Sequence, residues 1–383
     1  MKILLIGEYS NVHATLAKGL RELGHEVVVA SDGDGWKNYD RDVDLRRAST
    51  RRGVSLCYFL HLLRCFRHFR GFDVVQLINP VFISLKGERI APFYRYLRRH
   101  NRRVFLGAFG MDYYWVKAGL DCTTFRYSDF NIGIKVRERE DNRIWIADWL
   151  KGSKGTLNHL IARDCDGIVA GLYEYYTAYK KEWEHKLRFI PFPIDADAAT
   201  LIPDFEKKVF APNRKIRFFI GIQRARNSYK GTDIMLRALL RLKEQYPDAV
   251  EIVQVENVPF EQYKQLLLSS DVLLDQLYAY TPAMNALQAM AQGLIVVGGG
   301  EPENYEILGC SDLRPILNVQ PNEESVYEAL SWLVEHKSEI PNLSHESRIY
   351  IERYHDHIKV ARQYLDFWQS SSFSSCPPLN QRS

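Results

Sequence analysis

The sequence predicts an α/β chain of two doubly wound, Rossmann-like domains facing each other across a cleft, and three observations carry that expectation. Short β-branched apolar runs alternate with stretches of helical apolar spacing along most of the chain. The alternation breaks once, around 187–214, where two prolines and then a charged, irregular stretch intervene. The 383 residues are enough for two domains of ordinary size. Hydrophobic residues at 46% and charged residues at 26% lie near soluble globular averages, which excludes wholesale disorder.

Taken in order, 2–6 reads as a buried strand ending at Gly7, and Val12, Leu16, Leu20 and Leu23 recur at helical spacing up to Gly24. The β-branched 26–30 then runs into the turn residues 31–35, completing a βαβ opening. Strands at 73–78, 104–107 and 167–170 and a helix near 86–100 continue the first domain, 1–195. After Pro191 and Pro193 a second series follows in 196–350, with strands at 216–221, 250–255, 271–274 and 294–297. Helices are expected between them at 233–246, 260–269 and 282–292. One long helix is expected over 344–368, of which 351–368 crosses back to the first domain, and the Ser- and Pro-rich 369–383 reads as a disordered tail. Parallel sheets in this arrangement place ligands at the carboxyl ends of their strands.

Several classes are excluded. The six cysteines form no CxxC pair and no Cys/His cluster of zinc spacing, so neither a disulfide framework nor a metal site is expected, and a reducing cytoplasm fits. The first apolar run ends at Glu8, too short for a signal peptide, and no stretch reaches the ~18–20 apolar residues of a spanning helix.

Two segments carry phosphate chemistry. GIQRARNSYKG (221–231) leaves the first strand of the second half, and its Arg224 fork and Lys230 point charge can converge on a diphosphate beside Gly221; a solvated basic loop is the alternative. In YAYTPAMNALQAMAQG (278–293), Thr281 reads as an N-cap, Pro282 as the first helical residue and Gly293 as the stop. The open amino end of that helix, at Thr281, Pro282, Ala283 and Met284, is an anion site compatible with ordinary packing of the helix. Gly298, Gly299 and Gly300 follow a strand, so they either let backbone approach a ligand or form a plain turn, and Glu303 can meet sugar hydroxyls or start a surface helix.

The second half resembles the donor domain of GT-B glycosyltransferases, specifically the large retaining family 4. The resemblance rests on GIQRARNSYKG, on LSSDVLLD, and on LQAMAQGLIVVGGGEPENYEIL for the family's Glu-Ala-Met-Ala-x-Gly signature, with Phe192-Pro193-Ile194-Asp195 at the connection and RYHDHIKVARQYLDFW at the crossing helix. It implies a metal-independent, retaining transfer of a sugar from a nucleoside diphosphate to an acceptor hydroxyl, in polysaccharide or glycolipid assembly, with the nucleotide sugar as substrate and no cofactor. Arg224, Lys230 and the helix end would stabilise the leaving diphosphate. The family usually carries two glutamates with seven residues between; here those positions read Tyr280, near the donor sugar, and Gln288, which can hydrogen-bond ribose without charge.

In the first half, Asp112, with Tyr113 beside it, follows a strand and would meet the acceptor hydroxyl or the positive charge developing on the donor sugar; an N-cap is the competing reading. Tyr9, Ser10 and His13 occupy the first βα loop on the acceptor side. Charge is segregated: 46–103 holds 14 Lys and Arg against Asp73 and Glu88, a net +12 that leaves −8 for the rest of a +4 chain. Leu56, Phe59, Leu60, Leu63 and Phe66 form an apolar face beside Arg64, Arg67 and Arg70, and Arg95, Arg98, Arg99 and Arg102 a basic stripe, which suits an anionic membrane surface or a sugar or lipid-linked acceptor. Packing of 56–66 on the sheet with solvated arginines is the plainer account. No nucleic-acid module accompanies the charge. Two rival functions remain. A catalytically silent GT-B-like binding subunit would explain Tyr280 and Gln288. An NAD-dependent Rossmann oxidoreductase would use Asp32 but lacks GxGxxG.

Overall fold

The computed structural model describes residues 1–49, 52–203, 205–207, 209–223 and 227–370. The first half opens with β1 (Lys2–Ile6), α1 (Val12–Glu22), β2 (Glu26–Ser31) and β3 (Val43–Asp44), then α2 (Arg52–Phe66), β4 (Val74–Leu77), α3 (Gly87–His100) and β5 (Arg103–Ala108). It continues with α4 (Tyr113–Leu120), the short antiparallel pair β6 (Asn131–Ile132) and β7 (Lys135–Val136), α5 (Glu140–Ile146), α6 (Ser153–Asp164), β8 (Gly167–Ala170), α7 (Tyr173–Trp183) and β9 (Leu187–Phe189). Seven strands form one parallel sheet in the order β3-β2-β1-β4-β5-β8-β9. Every residue of β4 and β8 is buried, as expected of strands covered on both faces.

The second half runs β10 (Ile216–Ile222), α8 (Asn227–Lys230), α9 (Thr232–Gln245), β11 (Val250–Glu256), α10 (Phe260–Leu268), β12 (Val272–Leu274), α11 (Met284–Ala291) and β13 (Ile295–Gly298). It ends with α12 (Pro302–Leu308), β14 (Leu317–Asn318), α13 (Glu323–Glu335), α14 (Ile340–Tyr354) and α15 (His357–Ser370). Its five parallel strands are ordered β11-β10-β12-β13-β14. Alternate residues of β10 feed opposite faces: Phe218 and Ile220 join Met235, Leu239, Val326 and Leu330, whereas Phe219 joins Leu273, Leu287 and Met290.

Two expectations at the C-terminus change. The single helix expected over 344–368 is two helices, broken at His355 and Asp356, because the chain there pairs with the interdomain segment. The Ile194 N–H donates to the His355 carbonyl (2.7 Å) and the His357 N–H to the Ile194 carbonyl (3.0 Å). Helix α15 then lies on α1 and extends through Ser370, two residues into the expected tail; 371–383 lie outside the described residues. Of the apolar face read on α2, Leu56, Phe59, Leu60 and Leu63 are exposed and Phe66 is buried, while Tyr58 and Leu62 turn inward beside it. Arg98 leaves the basic stripe, donating to both carboxylate oxygens of Asp166 (2.8 and 3.1 Å).

Candidate functional site

The order of the second sheet reverses between β10 and β12, so the loops leaving these neighbouring strands part to opposite sides and open a crevice at their carboxyl ends. Gly221 is the second-to-last residue of β10, and Arg224 lies outside the described residues. Lys230 closes α8 half-buried, its carbonyl accepting from the Leu277 N–H (2.9 Å). Asp275, just past β12, has its pKa raised by burial, a rise that the Lys230 charge and a hydrogen bond from Asn285 (3.2 Å) only partly oppose. Asn285 also accepts from the Tyr263 hydroxyl (3.1 Å), and Gln288 stands half-buried one turn further along α11.

Helix α11 begins at Met284 with Ala283 as N-cap and no side-chain cap, not at Pro282 after Thr281. Its first N–H groups, from Met284 onward, have no intrahelical acceptor and face the carboxyl edge of the sheet on the Lys230 side. The start is displaced because Thr281 is engaged elsewhere. Glu174, in the first turn of α7 in the other half of the molecule, accepts from the Tyr280 N–H (2.6 Å), the Thr281 N–H (3.1 Å) and the Thr281 hydroxyl (2.5 Å). Burial raises the Glu174 pKa, and these three donors oppose the rise.

The segment between α4 and α5 closes the cleft from the first half. Arg126 pairs with Glu303 and with Glu301 (2.8 Å), and the Tyr127 hydroxyl donates to Glu301 (2.6 Å), as does Gln320 (2.7 Å). Burial alone would raise the Glu301 pKa, but these bonds and the Arg126 charge hold it below the usual value. Glu303, expected at sugar hydroxyls, is thus an ion-pair partner of Arg126. Tyr280 is buried, its hydroxyl accepts from the Arg126 N–H (2.7 Å) and its ring stacks on Tyr173. Asp129 accepts from the Tyr229 hydroxyl (2.7 Å), and the Arg137 guanidinium covers Tyr278 at 3.3 Å. The glycine turn serves this packing: a side chain at Gly299 would stand 2.3 Å from the Ala279 carbonyl.

On the acceptor side the loops holding Tyr9 and Gly110 touch, for the Tyr9 ring lies 3.1 Å from where a Cβ on Gly110 would be. Ser10 donates its N–H to Asp34 (2.9 Å) and its hydroxyl accepts from Lys37 (3.1 Å). Asp112 is 0% exposed and is the N-cap of α4, accepting from the Trp115 N–H (2.9 Å) and the Tyr179 hydroxyl (2.8 Å), with burial pushing its pKa up to about 7. Of its two readings the structure supplies the cap. His13 is fully buried, bonded through Nδ1 to the Gly7 carbonyl (2.8 Å), and burial lowers its pKa to about 3, so it is neutral. Tyr113 donates its N–H to Asn158 (3.0 Å) and packs on His159.

Glu174, Arg126, Tyr127, Asp129 and Glu301 are the site residues that sequence reasoning passed over. Glu174 had a signal: it opens a helix directly after strand 167–170, at the ligand edge of its sheet. The 121–139 stretch had none, since its aromatics and charges follow neither helical nor strand spacing.

No known family profile and no curated protein matches the chain. Solved structures do. Sucrose-phosphate synthase from Thermosynechococcus elongatus superposes with a TM-score of 0.63 at 12% identity, over 96% of this chain and 98% of its own. HepE from Anabaena, in complex with UDP and glucose, gives 0.59 at 12% identity over 97% and 100%. UDP-GlcNAc 2-epimerase from Neisseria meningitidis, bound to UDP-GlcNAc, gives 0.54 at 12% over 96% and 99%. The chain therefore has the GT-B fold, two Rossmann-like domains facing across a cleft.

Proposed function

We propose that this chain is a glycosyltransferase of the family 4 type that moves a sugar from a nucleoside-diphosphate sugar to an acceptor hydroxyl, with retention and without a metal, in polysaccharide or glycolipid assembly on the cytoplasmic side. One observation carries the reading: at the strand-order reversal, the Lys230 loop after β10 and the uncapped start of α11 after β12 converge on one crevice. Two cationic elements there suit a departing diphosphate. Charge builds on the bridging oxygen as the sugar–oxygen bond breaks, and the Lys230 ammonium, the first N–H groups of α11 and the Arg224 guanidinium stabilise it most at that moment. Asn285, Gln288 and Tyr263 supply hydrogen-bonding groups for the nucleoside. Tyr9, Ser10 and Tyr113 border the opposite wall, where the acceptor enters.

Lys230→Ala lowers turnover by roughly 10²–10³ if the lysine acts like an oxyanion donor. Donors are found by screening UDP-, ADP- and GDP-sugars for thermal stabilisation of the protein. Near-normal turnover of the variant on a stabilising donor overturns the assignment. A second reading, a catalytically silent binding subunit, is favoured by Tyr280, whose hydroxyl, N–H and ring are all engaged by protein groups. Donor hydrolysis or transfer by the purified chain excludes it.

A further inference from the structure

Helices α2 and α3 lie side by side on one face of the first sheet with an open groove of about 850 Å³ between them, within the ~300–1,000 Å³ range of pockets that hold small molecules. Its walls include Leu56, Phe59, Leu63, Pro92, Phe93 and Tyr96, with the Phe59 and Phe93 rings in edge contact at 5.8 Å. Leu56 is 63% exposed and Leu60 and Leu63 are each 47% exposed, so the outward face of α2 is apolar over about two turns. Isolated exposed leucines are ordinary, but a contiguous apolar strip along a groove marks an interaction site.

The shoulders of the groove are basic. Arg64 lies in the last turn of α2 with Arg67 and Arg70 just beyond it, Arg89, Arg95 and Arg99 lie on α3, and all six are exposed. Among the described residues none of the six has a carboxylate within ion-pair distance, in contrast to Arg98 on the same helix. Unneutralised arginines around a hydrocarbon floor match one occupant, an anionic lipid surface: phosphate headgroups above and acyl chains in the groove. A second copy of the chain fits poorly, since it would press two arginine-rich shoulders together. No helix among the described residues is long and apolar enough to cross a membrane.

We propose that the α2–α3 groove is the docking surface for an anionic bilayer, with lipid hydrocarbon entering between the helices and the flanking arginines holding headgroup phosphates. Both helices begin at the carboxyl edge of the sheet, since each follows a parallel strand. The Ser55 and Glu88 end of the groove therefore lies on the side of the acceptor loops, and docking would bring a membrane-embedded acceptor to the cleft. That consequence rests on the transferase reading; the docking itself does not.

The test is co-sedimentation of the full chain with vesicles of equal parts phosphatidylcholine and phosphatidylglycerol, against phosphatidylcholine alone, at low and high salt. Binding is expected to the anionic vesicles only and to weaken with salt. Leu56→Ser and Leu63→Ser together should weaken it by about tenfold or more. Arg64→Glu with Arg67→Glu should weaken it by about fivefold or more. The leucines and arginines are exposed, so the melting temperature should hold within a few degrees and reports folding independently. Equal binding to both vesicle types, or variants with unchanged binding, overturns the proposal. A concentration-dependent dimer in free solution that Leu63→Ser abolishes assigns the groove to a second copy instead. Because the readout is lipid binding, a chain without transferase activity can still bear it out.

Discussion

Asp112 shows what a single carboxyl can and cannot do where it stands. It is sealed from solvent, its two oxygens face the Trp115 N–H and the Tyr179 hydroxyl, and burial pushes its pKa up to about 7 from a usual value of 3.8. A folded-state pKa above the unfolded one means that the native protein holds a proton the unfolded chain has already released. The stability contributed by that proton is complete below about pH 4 and is lost as pH rises through about 7. Asn at this position does not titrate. The destabilisation caused by Asp112→Asn should therefore be largest at about pH 4 and shrink until pH passes about 7, as read by urea unfolding of both proteins. A gap that widens with pH contradicts the buried-cap account. His13 and His355, lowered to about 3 and about 4 by burial, act in the opposite sense, so wild-type stability alone would mask the effect. The sequence located Asp112 correctly after a strand, at the one place where an N-cap and a cleft residue look identical. Choosing between them required knowing that Tyr179, 67 positions away, covers its second oxygen.

Elements were more legible than their ends. The apolar run of β12, the spacing of Met284, Leu287 and Met290, and Gly293 made α11 evident, and it forms where expected. Its first turn was not legible, because the group that draws Thr281 away is Glu174, 107 residues earlier in the chain. The segment between α4 and α5 was not legible at all, since its order comes from contacts with the other half of the molecule. Arg126 is the hinge of those contacts, joining Glu301, Glu303 and the Tyr280 ring. Arg126→Ala removes both ion pairs. About half of the Arg126 side chain is exposed, so screening keeps the loss modest, about 1 kcal/mol or less of global stability. Local opening should respond more strongly. Hydrogen exchange at Tyr280 and at Gly299–Glu303 should accelerate while exchange in β1 and β4 stays unchanged. Uniform acceleration would mean that the pair supports the whole fold and not the cleft.

At the scale of the whole molecule, the two halves and their charge asymmetry were written in the composition along the chain, whereas the direction in which α2 presents its residues was not. That helix has apolar side chains on both faces, and only packing distinguishes Leu62, which is fully buried, from Leu63, which is 47% exposed. The crossing of the C-terminus back to the first half is the remaining large-scale feature, and it depends on close contact. Trp368 is buried beside Phe105, the Arg103 guanidinium donates to the Trp368 carbonyl, and α15 approaches α1 so closely that a Cβ on Gly19 would lie 2.4 Å from the His357 carbonyl oxygen and 3.1 Å from the Ala361 methyl. Two effects of Gly19→Ala compete. Alanine in the middle of a helix gains about 1 kcal/mol over glycine. Forcing a methyl against backbone atoms that have no rotamer to escape into costs about 1–3 kcal/mol. The overlap is with a carbonyl fixed by the start of α15, so the second effect should win, leaving a net loss of up to about 2 kcal/mol in urea unfolding. The loss should be accompanied by faster hydrogen exchange in α15 than in α13, which has no such contact. A variant stabilised by about 1 kcal/mol would show that α15 is free to move away from α1 and that its seat on the first half is loose.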